Sequence, residues 1–106
     1  MTDRNDDSRN ATYLALGRLI AGACPAGFAT AVLVAEIHDE RTRLWITATQ
    51  PDGTKVQLQA GADASRDILE ILRGIRNTMA REEGAAWQSC VVTLKAGGGF
   101  AIEFEY

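Results

Sequence analysis

The 106-residue chain has few of the residues that build metal and catalytic centres: one histidine, two cysteines and two prolines. A metal site needs several ligands that converge, and a catalytic triad needs a nucleophile beside its histidine. The histidine, His38, lies in the segment EIHDER, where successive residues of a strand and a turn point in different directions. We therefore expect a solvated turn there, with no metal and no cofactor.

Long apolar runs and an excess of positive charge are also missing. A bilayer-spanning helix needs roughly 20 apolar residues, and the nearest candidate is the ten-residue run FATAVLVAEI at 28–37. The first ten residues mix charges of both signs with no apolar segment behind them, which argues against a secretory signal. The net charge of −3 provides no positive field for nucleic-acid phosphates. These absences predict a cytoplasmic protein that binds neither membrane nor nucleic acid directly.

The two cysteines, Cys24 and Cys90, lie in apolar settings and do not form a CxxC pair. Two buried, reduced thiols are therefore expected rather than a disulfide. The chain is 46% hydrophobic and 24% charged, which is ordinary for a globular domain. We predict a flexible N-terminal tail at residues 1–7 and a single domain at residues 8–106.

Two segments have the periodicity of amphipathic helices. The first covers residues 9–23, and the second begins near residue 63 and ends at Gly84. The second has the strongest apolar periodicity of the chain, at Ile68, Ile71, Leu72, Ile75 and Met79. Gly74 lies inside it at a cost of about 1 kcal/mol relative to alanine. This cost suggests that the helix packs closely against a strand at that position.

The remaining segments are predicted strands. Residues 28–37 are apolar on both faces, which places this strand in the sheet interior. A meander follows, in which residues 43–49 and 55–60 flank the turn PDG at 51–53. The last two strands, 86–95 and 100–106, are joined by AGGG. The order αβββαββ predicts an α+β fold, with one antiparallel five-stranded sheet and both helices packed on one face.

Two tryptophans are candidates for contact with a partner. By strand alternation, Trp45 shares the polar face with Arg43 and Thr47, and Trp87 shares it with Ser89 and Val91. Large aromatic residues on an otherwise polar sheet face are enriched at binding surfaces. We therefore predict that at least one of the two tryptophans is exposed to a partner.

Glu103 and Glu105 lie two residues apart on the last strand, hence on one face and roughly 7 Å apart. That separation lies within the range of carboxylate pairs in glycoside hydrolases. An enzyme that uses Glu103 with Glu105 or His38 is therefore an alternative. Solvent-facing acids are the ordinary meaning of this alternation, however, and AGGGF joins two strands instead of leading into a phosphate-binding helix. We expect a protein that is not an enzyme.

The C-terminal third, GAAWQSCVVTLKAGGGFAIEFEY, resembles a stretch of the YezG-like immunity proteins. The matching positions are Trp87, Ser89, Thr93, Leu94, Gly99, Phe100, Ile102, Glu103, Phe104, Glu105 and Tyr106. Upstream, the helix ending in ACPAGF, the AEI strand, the PDG hairpin and the long second helix agree with the family's order of elements. The resemblance covers nearly the whole chain, and its specific part is the last twenty-odd residues.

This resemblance implies a cytoplasmic immunity protein of a polymorphic or contact-dependent toxin system. Such a protein binds a cognate toxin domain and occludes its active site or substrate path, without catalysis. Toxin domains are often nucleases with basic phosphate-binding surfaces, which acids such as Asp39, Glu40, Glu103 and Glu105 would complement. The alternative is a non-catalytic interaction or oligomerisation module, such as a homodimer formed through the exposed edge of the last strand.

Overall fold

The computed structural model describes residues 3–38 and 41–106, with side chains described from residue 11 onward. The elements, in chain order, are α1 (Asp3–Ala23), β1 (Thr30–Ile37), β2 (Thr42–Thr49), β3 (Lys55–Leu58), α2 (Ala62–Glu83), β4 (Ser89–Lys95) and β5 (Phe100–Glu105). The predicted αβββαββ order and the α+β class are confirmed.

One antiparallel sheet holds all five strands of the described residues in the order β3-β2-β1-β4-β5. The strand that is apolar on both faces, β1, is central, as predicted. Its side chains alternate between fully buried and half-buried positions. The buried set is Ala31, Leu33, Ala35 and Ile37. This set defines the face of the sheet on which the helices pack.

The core lies between this face and the two helices. Leu16 and Ile20 of α1 and Ile68 and Leu72 of α2 are fully buried against it. The strands contribute Leu33, Ile46, Cys90 and Val92 among others. Both helices therefore pack on the same face, as predicted. Neither described helix combines the length and the apolarity that crossing a membrane requires.

Turns form where the sequence predicts them. The PDG segment joins β2 to β3, with Gly53 at a φ of 90° and the Thr54 amide donating to Asp52 Oδ1 at 2.9 Å. Gly84 ends α2 in the left-handed conformation, at a φ of 79°, and its amide donates to the Ala80 carbonyl at 2.8 Å. Glycine suits these positions because side chains disfavour positive φ.

The structure differs from the sequence prediction at both helices. The first helix begins at Asp3, so residues 3–7, expected within a tail, are helical; Met1 and Thr2 lie outside the described residues. Residues 3–7 have no apolar stripe, which is why periodicity did not find this part of the helix. Gly74 does not pack against a strand: a Cβ placed there would meet nothing within 4 Å.

Candidate functional site

The candidate site is the sheet face opposite the helices, which we call the open face. Its side chains come from the alternate positions of the strands, including Val34 of β1, Trp45 of β2, Val91 of β4 and Glu103 of β5. These residues do not belong to the buried core cluster. Both described helices pack against the opposite face of the sheet.

One row of side chains crosses the middle of the open face. Val34 is the register partner of Trp45 on one side and of Val91 on the other, and Val91 pairs with Glu103. At about 4.8 Å between strands, the row is roughly 14 Å long. Trp45, Val34 and Val91 are half-buried although nothing described lies above them. The row is therefore an apolar stripe that ends in a carboxylate at the edge strand.

A second row beside the stripe makes this edge acidic. It runs from Arg43 through Glu36 and Ser89 to Glu105. Glu103 and Glu105 are both exposed, as predicted, and Ser89 Oγ donates to Glu105 Oε2 at 3.3 Å. Glu36 lies two strands away from β5 and is the register partner of Arg43. The negative charge of the open face is therefore concentrated at Glu103 and Glu105, on the edge strand β5.

The predicted position of Trp87 on this face is wrong. Trp87 is fully buried, and its ring lies 5.2 Å from the ring of Phe104, centre to centre, on the helical side of the sheet. The cause is a β-bulge. The Gln88 amide donates to the Glu105 carbonyl at 2.8 Å, while Ser89 is the register partner of Glu105, so two residues oppose one. The extra residue reverses the alternation and directs Trp87 into the core.

The segment that carries Trp87 is also tied to α2. Arg76 Nε donates to the Trp87 carbonyl oxygen at 2.7 Å, so this arginine links α2 to the connection before β4. The indole N–H of Trp87 is buried and has no hydrogen-bond partner among the described residues. Trp87 is thus a packing residue, and it does not reach the open face.

The other sequence candidates are distributed as follows. Asp39 and Glu40 lie outside the described residues. His38 is exposed at the end of β1, and its Nε2 lies 4.0 Å from Glu36 Oε2. Within residues 3–38 and 41–106, no group of three or more His, Cys, Asp or Glu side chains is placed to hold a metal ion. Glu103, Glu105 and His38 line neither the groove between α1 and α2 nor the groove beside Leu14, Phe28 and Leu94.

Both thiols are free, as predicted, although only Cys90 is fully buried. Burial raises the pKa of Cys90 to about 11 and also raises the pKa of the half-buried Cys24. A high pKa keeps a thiol protonated and therefore poorly nucleophilic at neutral pH. Neither cysteine has the environment of a reactive thiol.

Sequence reasoning placed Val91 on this face but missed Val34, the residue that joins Val91 to Trp45. The available signal was the apolar character of both faces of β1, which indicated a strand covered on both sides. The structure places helices on only one side, so Val34 and its neighbour Val91 remain without a described layer above them. Together with Trp45 they form the apolar part of the site.

The fold and the site define an α+β protein whose single sheet is covered by helices on one face and presents an apolar, acid-edged face on the other. No protein-family model matches the chain, and a search of curated proteins finds no significant match.

Proposed function

We propose that this protein is a cytoplasmic immunity protein that binds a cognate toxin domain and neutralises it by occluding its active site or substrate path. The observation that carries the proposal is the open face, where the stripe of Trp45, Val34 and Val91 leads to Glu103 and Glu105. An aromatic anchor with charged residues around it is the usual composition of a protein-binding surface. The resemblance of residues 84–106 to YezG-like immunity proteins supports the same reading.

The charge of the site favours a basic partner. Glu103 and Glu105 lie on the open face of the edge strand β5, and Glu36 lies on the same face of β1, two strands away. A toxin that binds phosphates presents the opposite sign. A protein that covers such a surface blocks the substrate path without any chemistry of its own. Recognition in this proposal comes from the apolar stripe, and the acids orient the partner and accelerate its association.

Co-expression with the toxin encoded beside the gene tests the proposal. We expect growth to be restored and the two proteins to elute together from a sizing column. The variant Trp45→Ala and the double variant Glu103→Lys with Glu105→Lys should weaken the complex at least about tenfold, or 1.4 kcal/mol. Unrelieved toxicity together with the absence of a complex would refute the proposal.

Asp63→Lys is the matched control, because Asp63 is an exposed acid in the first turn of α2, away from the open face. It changes the net charge of the protein by the same amount as each single glutamate-to-lysine substitution on the open face. An equal loss of toxin binding in this control would show that only net charge matters, and it would contradict the assignment of the open face.

A second candidate function is a module that associates through its sheet edge. The carbonyls of Gly99 and Glu105 accept from Lys95 and Gln88, so odd-numbered residues of β5 bond toward β4. The backbone groups of Phe100, Ile102 and Phe104 therefore point outward from the edge of the described sheet. This hypothesis predicts a homodimer at micromolar concentration in sedimentation equilibrium, and a strictly monomeric protein would exclude it.

A further inference from the structure

A groove of about 550 Å³ lies on the other side of the sheet, between α1 and α2 and above β5. We call it the helical groove. Its apolar wall is formed by Ile71, Ile75 and Met79 of α2, together with Tyr13 of α1 and Phe104 of β5. The three α2 residues follow at spacings of four, so they form one ridge along the helix.

Carboxylates stand at both ends of this ridge. Glu70 lies at one end and Glu82 and Glu83 at the other, and all three line the groove. Glu70 and Glu83 are thirteen residues apart, which is roughly 20 Å along an α-helix. The Tyr106 hydroxyl donates to the Glu83 carboxylate and holds it at the end of the groove. No lysine or arginine is among the described residues that line it.

A second feature of the helical groove is Gly74. It lines the same groove, is exposed, and occupies the interior of α2, where glycine is less stable than alanine. A Cβ at this position would meet nothing within 4 Å, so no contact within the described fold requires a glycine. Its missing side chain opens the groove wall at mid-length and lets another backbone approach α2 closely.

We propose that the helical groove binds a cationic amphipathic helix of a partner protein. An apolar ridge of about two and a half turns matches one face of such a helix, and the carboxylates of Glu70 and Glu83 match lysines or arginines placed about 20 Å apart. The described part of the lining offers no cation to an acidic segment, which makes it unfavourable for such a segment. The inference concerns the side of the molecule opposite the open face and does not depend on toxin neutralisation.

The probe is a fluorescein-labelled synthetic helix of leucine and lysine, with leucines at spacings of four and lysines flanking them, compared with the same peptide carrying glutamate for lysine. Fluorescence anisotropy measures binding to the full chain. We expect the lysine peptide to bind at least about tenfold more tightly than the glutamate peptide, and its affinity to fall with added salt. Absence of binding by the lysine peptide, or equal binding of both peptides, overturns the proposal.

Gly74→Leu separates binding from folding. Leucine is a better helix former than glycine and meets no described atom at its Cβ, so the melting temperature should rise or stay unchanged while peptide affinity falls at least about tenfold. Gly22→Leu is the matched control: Gly22 is an exposed helical glycine of α1 with open space around it, and it does not line the groove. Unchanged affinity in Gly74→Leu, or an equal loss in Gly22→Leu, overturns the assignment.

A separate pair of variants tests the electrostatic contribution to peptide binding. Glu70→Gln with Glu83→Gln should weaken lysine-peptide binding and flatten its salt dependence. Asp52→Asn in the β2–β3 turn should leave both unchanged, because Asp52 is exposed and distant from the groove lining. If the turn variant has the same effect as the groove variants, the attraction is that of an acidic protein in general and the groove is not the site.

Discussion

Replacement of the two tryptophans by alanine separates the core from the open face. Trp87 is fully buried against Phe104, so Trp87→Ala removes its packing and leaves a cavity. Changes of this kind cost about 3–5 kcal/mol. A domain of this size has a free energy of unfolding of roughly 5–15 kcal/mol. The variant should therefore be marginally stable.

Trp45 lies on the open face with Val34 as its cross-strand partner and no described layer above it. A cross-strand pair contributes roughly 0.2–1 kcal/mol, so Trp45→Ala should cost about 1 kcal/mol. Urea titrations followed by far-ultraviolet circular dichroism measure both variants without relying on either indole. If both variants lost the same free energy of unfolding, or if Trp45→Ala lost more, the bulge and the placement of both side chains would be refuted.

Phenylalanine substitutions provide the control. Trp87→Phe keeps an aromatic ring against Phe104 and removes the buried N–H that has no described partner, so it should cost clearly less than Trp87→Ala. The single-tryptophan variant Trp45→Phe reports on Trp87 alone. Its emission should be resistant to acrylamide quenching, whereas the emission of Trp87→Phe, which retains Trp45, should be quenched readily.

Three further predictions concern the thiols and one turn. Iodoacetamide should modify Cys24 first and reach Cys90 only in urea, because Cys90 is fully buried and its pKa is raised to about 11. The free energy of unfolding should fall from pH 9 to pH 11, because the unfolded chain loses the Cys90 proton near the ordinary pKa of 9.0 while the folded chain keeps it. In urea titrations at alkaline pH, Cys90→Ala should lack the part of this decrease that comes from Cys90. Gly84→Ala should lower the melting temperature through a cost of about 1 kcal/mol, because the φ of 79° disfavours a side chain.

The elements and their order followed from local patterns. The spacing of apolar residues in α2, the PDG turn and the alternation along β5 each report on residues that are close in sequence. The central position of β1 was also predictable, because a strand that is apolar on both faces is disfavoured at a sheet edge. These features were confirmed because each is set by neighbouring residues, whatever the rest of the chain does.

The candidate site was only partly predictable. Alternation placed Trp45, Glu103 and Glu105 correctly, but it failed at Trp87 because the bulge at Gln88 adds one residue to the strand. The alternation of apolar and polar residues in this segment does not indicate such an insertion. The hydrogen bond from the Gln88 amide to the Glu105 carbonyl does. The pairing of Val34 with Val91 depends on strand order, which no local pattern contains.

The sequence by itself determined the secondary structure, the fold class and the acidic side of the last strand, since these depend on periodicity and composition. Only the tertiary structure decided which tryptophan is buried, which faces of the sheet are covered, and that Gly74 lies in a groove between two carboxylate-bearing ends. The physical reason is distance along the chain. Strand order, register and helix placement come from contacts between residues far apart in sequence, and these contacts assemble both the open face and the helical groove.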